Sequence, residues 1–146
     1  MVRWLTWLRW LLVVPAAWAA WYAAVLIGFG LHSLAEALCP PDQVISGMCV
    51  APWFGSVDRA IFCTGAGLAA AFIIVSCTVV APSHRRVVTF VTLGTGSVVA
   101  LVLALATDAL PEFIAAVVVG LLATWWLRGR TRLHEAPDIP SDATGP

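Results

Sequence analysis

Lysine and asparagine are absent from this chain, glutamine and tyrosine occur once each, and charged residues fill only 11% of its 146 positions. Soluble domains carry about 25% charge, so the chain cannot clothe a water-exposed globular surface in the usual way. With 8 arginines against 8 acidic residues and a net charge of zero, it also lacks the basic excess of a nucleic-acid-binding face. Nor does it have the low hydrophobicity of a disordered chain, since 61% of it is apolar. Those absences leave the membrane. The length suits one compact unit.

The apolar residues fall in four runs, 10–31, 60–81, 87–106 and 111–127. A helix crossing a hydrocarbon core of about 30 Å needs about 20 residues. The first three runs meet this, and Trp125–Trp126 extends the fourth into the interfacial layer. Only helices satisfy the backbone over such runs in lipid, and the short alternating segments of a strand barrel are missing. The expectation is an all-α integral membrane protein with four transmembrane helices in an antiparallel bundle. It would comprise a transmembrane domain over 1–132 with an external loop at 32–59, then a disordered tail over 133–146 rich in proline and acidic residues. Ala17-Trp18-Ala19 has the form of a signal-peptide cleavage site. The apolar run continues unbroken past it to Leu31, which reads as a retained signal anchor.

Charge segregation orients the chain. Arg3, Arg9, Arg85, Arg86, Arg128, Arg130 and Arg132 fall on one side of the four runs and Arg59 alone on the other. The positive-inside rule makes the first side cytoplasmic, so both termini are expected there, in a bacterial inner membrane. The opposite side carries Glu36, Asp42, Asp58, Asp108 and Glu112. Short connections at 82–86 and 107–110 make sequential helices antiparallel neighbours.

Each run has a stripe of small residues suited to close helix packing. These are Ala16, Ala20, Ala24 and Gly28; Gly67 and Ala71; Thr92, Gly96, Ala100 and Ala104; and Ala116, Gly120 and Thr124. They are expected to be the inter-helix seams. Trp4, Trp7, Trp10, Trp18 and Trp21 read as lipid-facing and interfacial anchors.

Chemistry-bearing residues are few. Cys39 and Cys49 share the long loop on the side expected to be oxidising, and a pair there is a structural disulfide. The chain-entropy model assigns about 2.8 kcal/mol to a ring of that size. Cys63 and Cys77 lie about 21 Å apart along one helix and cannot pair with each other. His32 is separated by the bilayer from His84 and His134, which excludes a shared metal site. Glu112 follows Pro111 at a helix start, where the dipole favours a carboxylate. Arg85, Arg86, Arg128, Arg130 and Arg132 are placed to meet anionic lipid of the inner leaflet or a partner protein. Trp53 and Phe54 are placed to rest on the outer interface. No cofactor is expected.

The chain shows no nucleophile–base set, metal cluster, phosphate loop or charge deep in a span. It therefore reads as a non-enzymatic accessory or assembly component beside a membrane partner or in a homo-oligomer. A small oligomeric transporter or channel, with Ser76, Thr78, Thr92, Thr95 and Ser97 along a polar path, is the alternative. In helix number and in its external cysteines the chain also resembles the quinone-linked thiol oxidases, which implies a redox-active Cys39–Cys49 pair. It departs from them in having no Cys-x-x-Cys and no cysteine in 107–110, so the second pair needed for a thiol relay is missing.

The orientation makes a direct prediction. Reporter fusions after Leu133 and within 82–86 should register cytoplasm, and one at Gln43 periplasm. A periplasmic C-terminus would overturn the arginine argument.

Overall fold

The computed structural model describes residues 2–81 and 85–134, with side chains over 7–81 and 86–129. It is helical apart from one short hairpin. In order come α1 (Val2–Ala37), a 3-10 turn (Pro41–Gln43), β1 (Val44–Ile45), β2 (Met48–Cys49), α2 (Phe54–Val80), α3 (Arg85–Thr107) and α4 (Leu110–His134). Each helix contains a stretch long and apolar enough to cross a membrane: Trp7–Ala37, Phe54–Val80, Arg86–Thr107 and Leu110–Gly129.

The helices overrun the apolar runs from which they were expected. α1 continues past Leu31 to Ala37, and α2 begins at Phe54, so the connection expected over 32–59 shrinks to 38–53. Apolarity marks only what suits lipid. The polar turns beyond it are still built from good helix formers such as Leu34, Ala35, Glu36 and Ala37. Helix α1 stops where Pro40 and Pro41 forbid its continuation. α4 likewise runs through His134, two residues into the expected tail. The rest of that tail, 135–146, lies outside the described residues.

The hairpin pairs Val44 with Cys49 and Ile45 with Met48. Its two turn residues, Ser46 (φ 52°) and Gly47 (φ 81°), both have positive φ, as a tight turn matching strand twist requires. The α3–α4 reversal uses the same left-handed conformation at Asp108 (φ 55°). There the Ala109 N–H donates to the Ala104 carbonyl at 3.1 Å, which caps the last turn of α3.

Helix α2 is the hub: it packs on α1, α3 and α4, while among the described residues α1 makes no substantial seam with α3 or α4. Sequential helices are antiparallel neighbours as expected, but the arrangement does not close into a four-sided ring. Instead α2 and α4 run parallel and in direct contact. Two glycines permit it. A Cβ on Gly67 would meet Val119 Cγ2 at 3.0 Å, and one on Gly120 would meet Leu93 Cδ1 at 3.0 Å and Ile74 Cδ1 at 3.3 Å.

Among the described residues no large side chain is fully buried. Apart from Ile74 the enclosed positions are small, among them Ala20, Ala24, Thr78, Thr89, Ala104 and Thr124. This is the pattern of backbones held close at small residues rather than of an aliphatic core. The expected stripes on α1, α2 and α4 therefore lie in seams. The α3 stripe is split: Ala104 is buried, whereas Gly96 is exposed, and a Cβ there meets nothing within 4 Å. Helix α3 instead turns Thr89, Leu93 and Ala104 towards its neighbours and leaves Gly96 on an open face.

Gly120→Leu should lower the unfolding temperature in detergent, at a cost of about 1–3 kcal/mol for overpacking. Gly96→Leu should leave it nearly unchanged. Equal losses in the two variants would show that α3 is seated the other way round.

Candidate functional site

Two ends of the fold gather polar side chains, and two apolar grooves lie between the helices. At the hairpin end, Cys39 and Cys49 form a disulfide, with Cα atoms 5.9 Å apart. The bridge ties the end of α1 to the segment entering α2. The free thiols sit within α2, Cys63 half-buried and Cys77 buried.

Beside the bridge, His32 braces the same two helices. Its Nδ1 lies 2.9 Å from Asp58 Oδ1 on α2, and its Nε2 lies 3.5 Å from Glu36 Oε1 one turn further along α1. The ring also meets the edge of Phe54 at 5.9 Å between centroids, and Phe54 in turn meets Trp53 at 5.9 Å. Phe54 is thus half-buried in a helix junction, whereas Trp53 stays exposed at 38%. Nothing in the sequence signals the His32–Asp58 contact. Adjacency suggests Arg59 for Asp58, and nothing local indicates that α1 and α2 overrun far enough to meet.

A groove of about 460 Å³ runs down from this junction. Its walls are Trp21, Ala24, Val25, Gly28, Phe29 and His32 of α1, and Ile61, Phe62, Gly65, Ala66 and Ala69 of α2, with Glu112 of α4 at one edge. The groove exists because α1 and α4 both pack on α2 without closing on each other. Glu112 Oε2 is buried and has no hydrogen-bond partner among the described residues. The sequence correctly places Glu112 in the first turn of α4, but not facing this space.

The second groove, about 440 Å³, follows the open face of α3. Thr92, Thr95, Gly96, Ser97 and Ala100 line one side, and Ala66, Ala69, Ala70 and Ile73 of α2 the other. Trp21 reaches both grooves. It packs edge-on against Trp18 and Tyr22, at 5.8 and 5.0 Å between centroids. The other described α1 tryptophans, Trp7 and Trp10, are exposed, as anchors should be.

At the opposite end, threonines and arginines converge. The Thr78 and Thr89 hydroxyls are hydrogen-bonded at 2.9 Å across α2 and α3. Thr78 also donates to its own helix at the Ile74 carbonyl (2.7 Å), and Thr124 does the same at Gly120 (2.9 Å). Such back-bonding answers hydroxyls inside helices without any polar path. Arg128 lies 4.5 Å above the Phe90 ring, a cation–π contact. With Arg86 it borders a small pocket of about 30 Å³ beside Thr78, Thr89 and Thr124. Two of the arginines singled out in the sequence are thereby brought together. The side chains of Arg85, Arg130 and Arg132 lie outside the described residues. Among the described residues no three His, Cys, Asp or Glu side chains form a metal-binding group.

Set against protein-family models, curated proteins and solved structures, the chain matches none of them.

The bridge is checked by maleimide labelling of denatured, unreduced protein. Cys63 and Cys77 should react while Cys39 and Cys49 are spared, and all four should react after reduction. Four reactive thiols before reduction would show that the loop is open.

Proposed function

We propose that this protein is a non-enzymatic, multi-pass component of a bacterial inner membrane that works beside a membrane partner. In this reading both termini are cytoplasmic, and the disulfide-tied hairpin and its acidic neighbours face the periplasm. The arginine end, with Arg86 and Arg128, meets the anionic inner leaflet, where each cation contributes about 1 kcal/mol. Segregated arginines and four apolar helices support that placement.

The observation that carries the partner reading is the open α3 face. Thr92, Gly96 and Ala100 have the four-residue spacing that elsewhere in this chain makes helix seams, yet among the described residues no helix lies on Gly96. Lipid tails gain nothing special from such a surface, whereas a second helix gains close backbone contact. A transmembrane helix from a partner is the occupant that this face suits.

A photo-reactive residue replacing Gly96 should give a discrete protein adduct in native membranes, while one replacing the exposed Leu105 should not. An adduct at twice the chain mass would favour the homo-oligomer, and with it the small transporter or channel. Lipid adducts alone at both positions would overturn the partner reading.

A further inference from the structure

At the arginine end two helices each deliver a guanidinium to one pocket. Arg86 immediately precedes the apolar run of α3, and Arg128 immediately follows that of α4. Both therefore stand at the edge of the hydrocarbon, where lipid phosphates begin. Both side chains are exposed, so a ligand can reach them. Arg128 is held by the Phe90 ring, whose centroid lies 4.5 Å from its Cζ. That contact uses the face of the guanidinium, whereas oxyanions are gripped by its in-plane N–H edge. The pocket between the two arginines, about 30 Å³, is floored by Thr78, Thr89 and Thr124. It has room for about two water-sized groups, the size of the free oxygens of one phosphate. Thr78 and Thr124 give their protons to carbonyls of their own helices, so the donors an anion would meet here are the guanidiniums. Among the described residues no carboxylate lines the pocket.

We infer that this pocket is a discrete site for one anionic phospholipid of the inner leaflet, its phosphate clasped between Arg86 and Arg128. Two cations from separate helices select an anion. With no carboxylate in the described lining, the ammonium of a zwitterionic head has no counter-charge there. The small volume admits phosphate oxygens and leaves the rest of the head outside. Val87, Phe90 and Trp126 are exposed beside the arginines and give acyl chains an apolar path that a free phosphate would not use. The anion also meets the positive end of the α3 dipole, which by itself disfavours Arg86 in the first turn. The site rests on the reading of this end as the inner-leaflet end, and sharpens it. Diffuse attraction would draw on every arginine of that end alike, whereas the clasp uses these two. Reporter fusions test the orientation, and binding in detergent, where there are no leaflets, tests the site, so the two can fail separately.

The test uses the full chain in a neutral maltoside detergent, with dioleoyl phosphatidylglycerol as the probe and native mass spectrometry and thermal unfolding as readouts. One phosphatidylglycerol should be retained per chain, about tenfold or more tighter than dioleoylglycerol, which lacks the phosphate. It should also outcompete dioleoyl phosphatidylcholine, whose cation opposes the arginines. Arg86→Gln and Arg128→Gln should each remove most of that preference. Arg86→Gln should unfold without lipid at the same temperature as the unaltered protein, yet lose the upward shift that phosphatidylglycerol gives. Arg86→Lys, which keeps the charge but not the N–H fork, should lose part of the preference. Arg59→Gln, at the hairpin end, should bind as the unaltered protein does. Equal retention of dioleoylglycerol or phosphatidylcholine, undiminished binding in the glutamine variants or in Arg86→Lys, or an equal loss in Arg59→Gln would each overturn the proposal. Inorganic phosphate binding as tightly as the lipid would overturn the lipid as the occupant.

Discussion

Everything in this fold depends on how closely α2 and α4 approach. Gly67 and Gly120 stand where any Cβ would press on Val119, Leu93 or Ile74. With those glycines, α4 lies directly along α2 rather than across a square from it. The consequence is topological. Helix α1, joined to α2 by the hairpin, packs on the remaining side of α2 and gains no seam with α4. The chain becomes a three-helix unit of α2, α3 and α4 with α1 laid against its hub. Both grooves are gaps that this arrangement cannot close.

The same constraint explains why the interior holds so little bulk. When backbones meet at Ala20, Ala24, Gly67 and Gly120 there is no room for leucine or phenylalanine between them. Large apolar side chains, including Leu11, Phe29, Leu105 and Trp125, lie outside. In water that would be an aggregating surface; among lipid tails it is solvent-matched, and packing alone selects what lies within. Hydroxyl pairs suit such seams. Thr78 and Thr89 add one hydrogen bond between α2 and α3 without bringing charge inside.

The two ends are fastened by different means. At the hairpin end a covalent bridge and the His32–Asp58 contact both join α1 to α2, so this pair is held where its own seam runs out. At the arginine end the fastenings include the threonine pair and Arg128 over Phe90. The acidic residues of the described chain gather at the hairpin end.

Sequence alone determined the four helices, because runs of apolar residues with no charge leave the backbone no other way to satisfy itself in lipid. It also determined the Cys39–Cys49 bridge, whose partners share one short loop, and the small-residue seams on α1, α2 and α4. Helix ends were less legible, since apolarity stops before helical propensity does at Leu31 and Ala60. What only the tertiary structure decided is which faces stay open. Thr92, Gly96 and Ala100 carry the same pattern as the buried stripes, and no local property tells a used seam from an unused one. Likewise, nothing near Glu112 in the chain shows that it faces α1, or that His32 meets Asp58 across 26 residues. The His32–Asp58 contact follows from the overrun of α1 and α2, and the place of Glu112 from the parallel contact of α2 and α4. That contact depends on two glycines, Gly67 and Gly120, lying far apart in sequence yet on facing sides of two helices.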